Sequence, residues 1–149
     1  WVPLVSTFAS DFKVMKDWFK KYNLDGKKII DLWSGIWKAT RFFKKTFNTK
    51  TYWIEIDLWS YLICKILNFI TKSDINISKW NYLNTDLSKY DFIYIYLFPW
   101  IISKIEEKIW KEAKTWTIVF SNAFKFKKHN PIEIIKDEKW KEEIYVYKI

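Results

Sequence analysis

Two parts of this sequence carry the residue types for nucleotide chemistry. One is the stretch Asp31-Leu32-Trp33-Ser34-Gly35-Ile36-Trp37; the other is Glu55, 24 residues after Asp31. The stretch follows a short apolar strand, Lys28-Ile29-Ile30-Asp31-Leu32, and precedes a helix. A loop in that place can bring backbone close to a ligand and offer it the free amides of the helix start. Read literally it is no known cradle, because Trp33 and Trp37 fall where a bulky side chain is sterically worst. With glycine at both positions it becomes D-L-G-S-G-x-G. Glu55 stands in Trp53-Ile54-Glu55-Ile56-Asp57, at the end of the second strand. Its spacing suits a carboxylate accepting both hydroxyls of a ribose. The plain alternative is a solvated surface acid.

The tryptophans bear on that loop. The chain has 2 Gly and 11 Trp, where an ordinary chain of this length has roughly ten glycines. Trp116 precedes the apolar strand Thr117-Ile118-Val119-Phe120, Trp140 falls in a hairpin-turn stretch, and Trp100 follows Pro99 as a Pro-Gly-like break. Each is a place where a chain favours glycine. Some bacteria read UGA as glycine, and translation under a table assigning UGA to tryptophan would write Trp instead. Many of these tryptophans are therefore expected to stand for glycine; Trp18 and Trp59, in helical stretches, are the weakest cases.

The elements that must position these residues alternate. Residues 8–22 read as a helix with Phe12, Met15, Phe19 and Tyr22 on one face. Asp25-Gly26 turns into the first strand, and a helix over 36–47 puts Ile36, Ala39 and Phe43 inward. Strand 51–56 follows, then a helix carried by Leu58, Leu62, Ile66 and Phe69, with Cys64 as a small buried residue. Residues 75–77 make a weak strand, 91–97 a strand covered on both faces, 101–113 a helix and 115–121 a strand. Residues 132–135 and 144–146 resemble a hairpin. The pattern predicts a Rossmann-like α/β fold, with a mostly parallel sheet, helices on both faces and a C-terminal antiparallel hairpin. One domain is expected over 1–149, with 1–25 as lead-in and 26–149 as core.

Composition narrows the partners. The net charge of +9 suggests nucleic acid or an acidic membrane, but Arg41 is the only arginine. Abundant Lys, Ile, Asn, Phe and Tyr are what A/T-rich codons give whatever the function. Nucleic acid is thus the lesser expectation. A lone Cys64 and a lone His129 predict a reducing compartment and no metal site. The longest apolar run, 92–102, is too short to span a bilayer. The expected location is cytoplasmic. The sequence begins at Trp1 without methionine, and any membrane anchor is expected in an upstream segment outside it.

With glycines at 33, 37 and 53, the loop and the strand-two stretch resemble motif I and its partner acid in the seven-strand S-adenosylmethionine-dependent methyltransferases. A narrower resemblance is to the protein-lysine methyltransferases of ATP-synthase c-subunit and adenine-nucleotide translocase. It rests on Val2-Pro3 with Thr7, on 81–91 (NYLNTDLSKYD) and on 104–124 (KIEEKIWKEAKTWTIVFSNAF). The resemblance implies S-adenosylmethionine as cofactor and S-adenosylhomocysteine as product. It places the cofactor among Asp31, Leu32, Trp33, Ser34, Gly35, Trp37, Glu55, Ile56, Asn81 and Tyr82, with Asp31 orienting the amino-acid portion. Asn81 stands where many relatives carry an acid near the adenine; Asn84 or Thr85 could substitute. Residues 122–130 are too few for the usual crossover helix.

Methyl transfer from a sulfonium depends mainly on positioning in a water-poor slot. Tyr96, Phe98 and Pro99, which end strand four, are the expected substrate slot, and an aromatic lining would favour a neutral lysine amine by desolvation. The expected acceptor is an exposed lysine of a protein, including a membrane-associated one. A second expectation is RNA or a small molecule, although Leu97-Phe98-Pro99-Trp100 lacks an Asn-Pro-Pro-Tyr-type motif. A third, of a different class, is a non-catalytic basic module that stacks single-stranded RNA on its aromatics.

Overall fold

The computed structural model describes residues 11–32, 38–137 and 140–149. The loop residues Trp33, Ser34, Gly35, Ile36 and Trp37 lie outside the described residues, as does the Val2-Pro3…Thr7 stretch.

Among the described residues, four helices and seven strands are α1 (Asp11–Phe19), β1 (Lys28–Asp31), α2 (Lys38–Phe47), β2 (Lys50–Glu55), α3 (Leu58–Thr71), β3 (Asn76–Lys79), β4 (Phe92–Ile95), α4 (Pro99–Glu112), β5 (Ile118–Asn122), β6 (Glu133–Asp137) and β7 (Trp140–Lys148). The strands form one sheet in the order β3-β2-β1-β4-β5-β7-β6. The first five strands run parallel; β7 lies antiparallel between β5 and β6. This is the mostly parallel sheet with a C-terminal antiparallel hairpin that the alternation predicts.

Alternating side chains along each buried strand feed two cores. Ile30, Ile54, Ile93, Ile95 and Val119 pack under Ile102, Ile105 and Ile109 of α4. Ile29, Phe92, Tyr94 and Phe120 point the other way, toward Met15 and Phe19 of α1 and Ala39 and Phe43 of α2. Trp53 and Ile77 extend that second face to Cys64 of α3. Helices therefore cover both faces.

Several boundaries move. The helix expected to begin at 101 starts at Pro99, which fits the first turn because proline has no amide to leave unpaired there. Trp100 thus sits inside a helix rather than in a Pro-Gly-like break. Strand four stops at Ile95, so Phe98 and Pro99 belong to the start of α4 instead of the strand end. The largest departure is in α3. Leu58, Leu62, Ile66 and Phe69, whose spacing marks the helix, are all exposed, and the helix turns Cys64, Tyr61 and Leu67 inward.

Between β3 and β4 there is no α-helix; two short 3-10 turns, Tyr82–Asn84 and Leu87–Lys89, make the connection. Between β5 and β6 the chain also crosses without a helix, as its length predicts. That crossing is held by one buried side chain of α4. The Glu106 carboxylate accepts the backbone amides of Lys127 (3.0 Å), Lys128 (2.8 Å) and His129 (3.0 Å) and meets His129 Nδ1 at 2.9 Å. Trp110, one turn on, stacks on the His129 ring.

Trp116 takes φ +77° and is the third residue of a turn closed by the Thr117 amide on the Lys114 carbonyl (3.1 Å). That is the position a type II turn reserves for glycine. Its indole is 70% exposed, touched by the Lys148 ammonium. The left-handed backbone costs a side-chain residue about 1–2 kcal/mol, more than an exposed cation–π contact returns. Trp116→Gly is expected to raise the unfolding free energy by about 1 kcal/mol in urea titrations. Unchanged or lower stability would count against a glycine preference there.

Candidate active site

The parallel strands end side by side at one edge of the sheet. Asp31 closes β1 opposite Trp53 of β2, so Glu55 extends two residues further along the adjoining strand. Asp31 is buried, and the Leu32 amide continues the pairing past the strand end by donating to the Tyr94 carbonyl at 3.1 Å.

Glu55 is 2% exposed, which excludes a solvated surface acid. Its Oε1 accepts the Asp57 amide at 2.9 Å. Burial pushes its carboxyl above the usual glutamate range, opposed by the amides of Asp57 and Ile56. Asp57, two residues on, does a different job: it caps α3 by accepting the Ser60 amide at 2.7 Å. Ile56 between them is 50% exposed, an apolar side chain standing open at the strand end. Beneath Glu55, burial and the nearby carboxylate push the Cys64 thiol up to about 12, which leaves it unreactive at neutral pH.

Beyond β3, Asn81 uses its side-chain oxygen to cap the Tyr82–Asn84 turn, accepting the Leu83 amide at 2.9 Å. Tyr82 is half-buried, and burial raises its phenol. Asn84 and Thr85 line a cleft of about 410 Å³ with Tyr52, Ile54, Lys79 and Tyr90. Asp31, Glu55 and Asn81 do not line that cleft.

At the end of β4, Tyr96 is half-buried against the α1–α2 core. Phe98 is half-buried and stacks face to face on Trp100, with ring centres 4.5 Å apart. Pro99 is exposed at the first turn of α4. The sequence reading missed a polar pair beside them. Asn122, the last residue of β5, donates from Nδ2 to the Tyr94 hydroxyl at 3.1 Å, and both residues are buried. Asn122 Oδ1 is buried without a partner. A polar Ser121-Asn122 pair closing the apolar run Ile118-Val119-Phe120 was the available signal. Among the described residues no group of three or more His, Cys, Asp or Glu could hold a metal ion.

No family model matches the sequence, and no curated protein matches it in sequence. Solved structures do match in shape. An RNA methyltransferase from Salinibacter ruber, in complex with S-adenosyl-L-homocysteine, superposes with TM-score 0.85 at 18% identity, over 97% of this chain and 94% of that one. The chain has the fold of a class I methyltransferase. A variant of MtNAS in complex with S-adenosylmethionine matches 95% of this chain and 63% of its own, with TM-score 0.76 at 9% identity. Coclaurine N-methyltransferase, bound to N-methylheliamine and SAH, matches 79% of this chain and 37% of its own, with TM-score 0.63 at 12% identity.

Proposed function

We propose that this protein is an S-adenosylmethionine-dependent methyltransferase. The observation that carries the reading is the buried Glu55 carboxylate at the end of β2, beside Asp31 at the end of β1, in a sheet of this strand order. Ligands of open α/β sheets bind at the carboxyl ends of the strands, where the order reverses. Here β1 is flanked by β2 and β4, and the loop leaving it is the D-L-W-S-G-x-W stretch.

The residues fit the cofactor. Glu55 would accept the ribose hydroxyls, the open Ile56 side chain would pack on the adenine, and Asp31 would orient the amino-acid portion. When bound, S-adenosylmethionine supplies an electrophilic methyl group. The protein's own part is to hold the acceptor in line and exclude water, with Tyr96 and Phe98 as the aromatic side of the slot. Glycine at 33 and 37 belongs to this reading. The left-handed Trp116 and the buried Trp53, whose indole N–H meets no acceptor, support recoding.

The acceptor we favour is a protein lysine amine, because half-buried aromatic walls lower the amine's proton affinity by desolvation. The RNA reading draws support from the Salinibacter ruber relative and from the net charge of +9. Transfer of labelled methyl to polypeptide or to RNA in one extract separates the two.

The cofactor pose is tested by calorimetry with S-adenosylhomocysteine on the chain with glycine at 33 and 37. Glu55→Ala should weaken binding about a hundredfold, the loss of two hydrogen bonds to a charged acceptor. Unchanged affinity would remove Glu55 from the site. The pH dependence carries a sign. Ribose hydroxyls favour the ionised carboxylate, so affinity should fall as pH drops through a pKa raised above the ordinary 4.5. The free protein responds oppositely: the raised pKa contributes stability below the unfolded value, lost as pH rises through the folded one.

A further inference from the structure

The outward face of α3 is apolar along its whole length. Trp59 is 74% exposed, Ile63 55%, Ile66 59%, Phe69 85% and Ile70 67%. These residues recur at helical spacing, so they form one stripe rather than scattered exposures. Ile63, Ile66, Phe69 and Ile70 keep the stripe whether position 59 is tryptophan or glycine. The helix sits over β2 and β3, the latter an edge strand, so among the described residues no further strand of the sheet extends beyond it on that side.

Charge decides the occupant. Within Leu58–Thr71 the only charged residue is Lys65, and Lys72 follows at the C-cap; both are exposed. No acid lies along the helix, and the N-cap Asp57 is turned onto the Ser60 amide. Two copies of this chain would each carry a net charge of +9 and repel one another overall, whereas an anionic bilayer attracts the chain. We infer that α3 lies in the plane of an anionic lipid surface, its apolar stripe among the acyl chains and Lys65 and Lys72 at the headgroups. The helix has 14 residues, too few to cross a bilayer. It begins three residues after Glu55. Docking there would bring the carboxyl edge of the sheet near the lipid, and, on the methyltransferase reading, an acceptor presented at the membrane surface.

The experiment is co-sedimentation of the full chain with phosphatidylcholine vesicles, with and without phosphatidylserine. Binding is expected to the mixed vesicles and to fall with salt. The double variant Ile66→Glu, Phe69→Glu should weaken it about a hundredfold, since two large side chains no longer enter the apolar layer. Both sites are exposed, and circular dichroism checks that the variant is folded. The proposal is overturned if the parent ignores both vesicle types, or if the folded double variant binds as the parent does. It is equally overturned if the parent is a dimer in sedimentation equilibrium that the double variant dissociates, since the stripe would then pair two copies. S-adenosylhomocysteine binding, measured in parallel without vesicles, reports on the methyltransferase reading separately.

Discussion

Trp33→Gly together with Trp37→Gly should tighten S-adenosylhomocysteine binding by about a hundredfold over the chain as written. On the methyltransferase reading the loop between β1 and α2 would bring its backbone against the ligand, where a side chain would either collide with the ligand or need a strained backbone. At about 1–2 kcal/mol for each such position, two glycines return a factor of that size. The effect should be confined to binding, because the strands and helices flanking the loop pack through Ile29, Ile30, Ala39 and Phe43. Calorimetry on the two proteins, paired with urea unfolding of each, tests this. Equal affinities would mean that the loop does not contact the cofactor. The same measurement on Trp59→Gly, exposed in the first turn of α3, should show no gain.

Glu106→Gln should cost about 3 kcal/mol of stability and lower the melting temperature by roughly 6–12 °C. The two carboxylate oxygens serve three backbone amides and a histidine ring. Glutamine keeps one oxygen and turns an amino group toward donors, leaving buried N–H groups opposed. What would be lost is the attachment of the β5–β6 crossing to α4, with Phe126 in the core beside it. Glu107 is the control. Its carboxylate is exposed and pairs with the Lys128 ammonium, so Glu107→Gln should leave the unfolding curve unchanged. If Glu106→Gln also unfolds like the parent, the crossing is held by its apolar contacts alone.

The order of strands and helices could be read from periodicity because the central strands are buried on both faces and the turns are marked by polar residues. Ile29-Ile30 and Phe92 to Ile95 are unbroken apolar runs, and the structure puts both inside the sheet. Periodicity was less informative in α3. It locates a helix but cannot say which of two apolar faces turns inward when both are apolar; Cys64, Tyr61 and Leu67 won because they meet Trp53, Ile75 and Ile77. Spacing placed Asp31 and Glu55 at the ends of β1 and β2, where the structure has them, since each position is fixed by the strand it ends. Glu106 was invisible. Nothing in its neighbourhood shows that amides 21 to 23 residues away need an acceptor, because that demand arises only when the crossing has no helix to satisfy its own backbone. The Asn122–Tyr94 pair was missed for a related reason: β4 and β5 are brought side by side only by the sheet.

The backbone at position 116 has a consequence outside the folded protein. A type II turn that holds its third residue at φ +77° is indifferent to what the side chain does in solvent, so selection there acts on the conformation. If the codon at 116 is UGA, a host that terminates at UGA would release a fragment ending no later than Thr115, before β5 and the hairpin. A synthetic gene written literally would instead yield the full chain with the indole in place. The two outcomes differ by mass on a gel, so expression of the native gene in an ordinary host can show whether UGA stands at or before position 116.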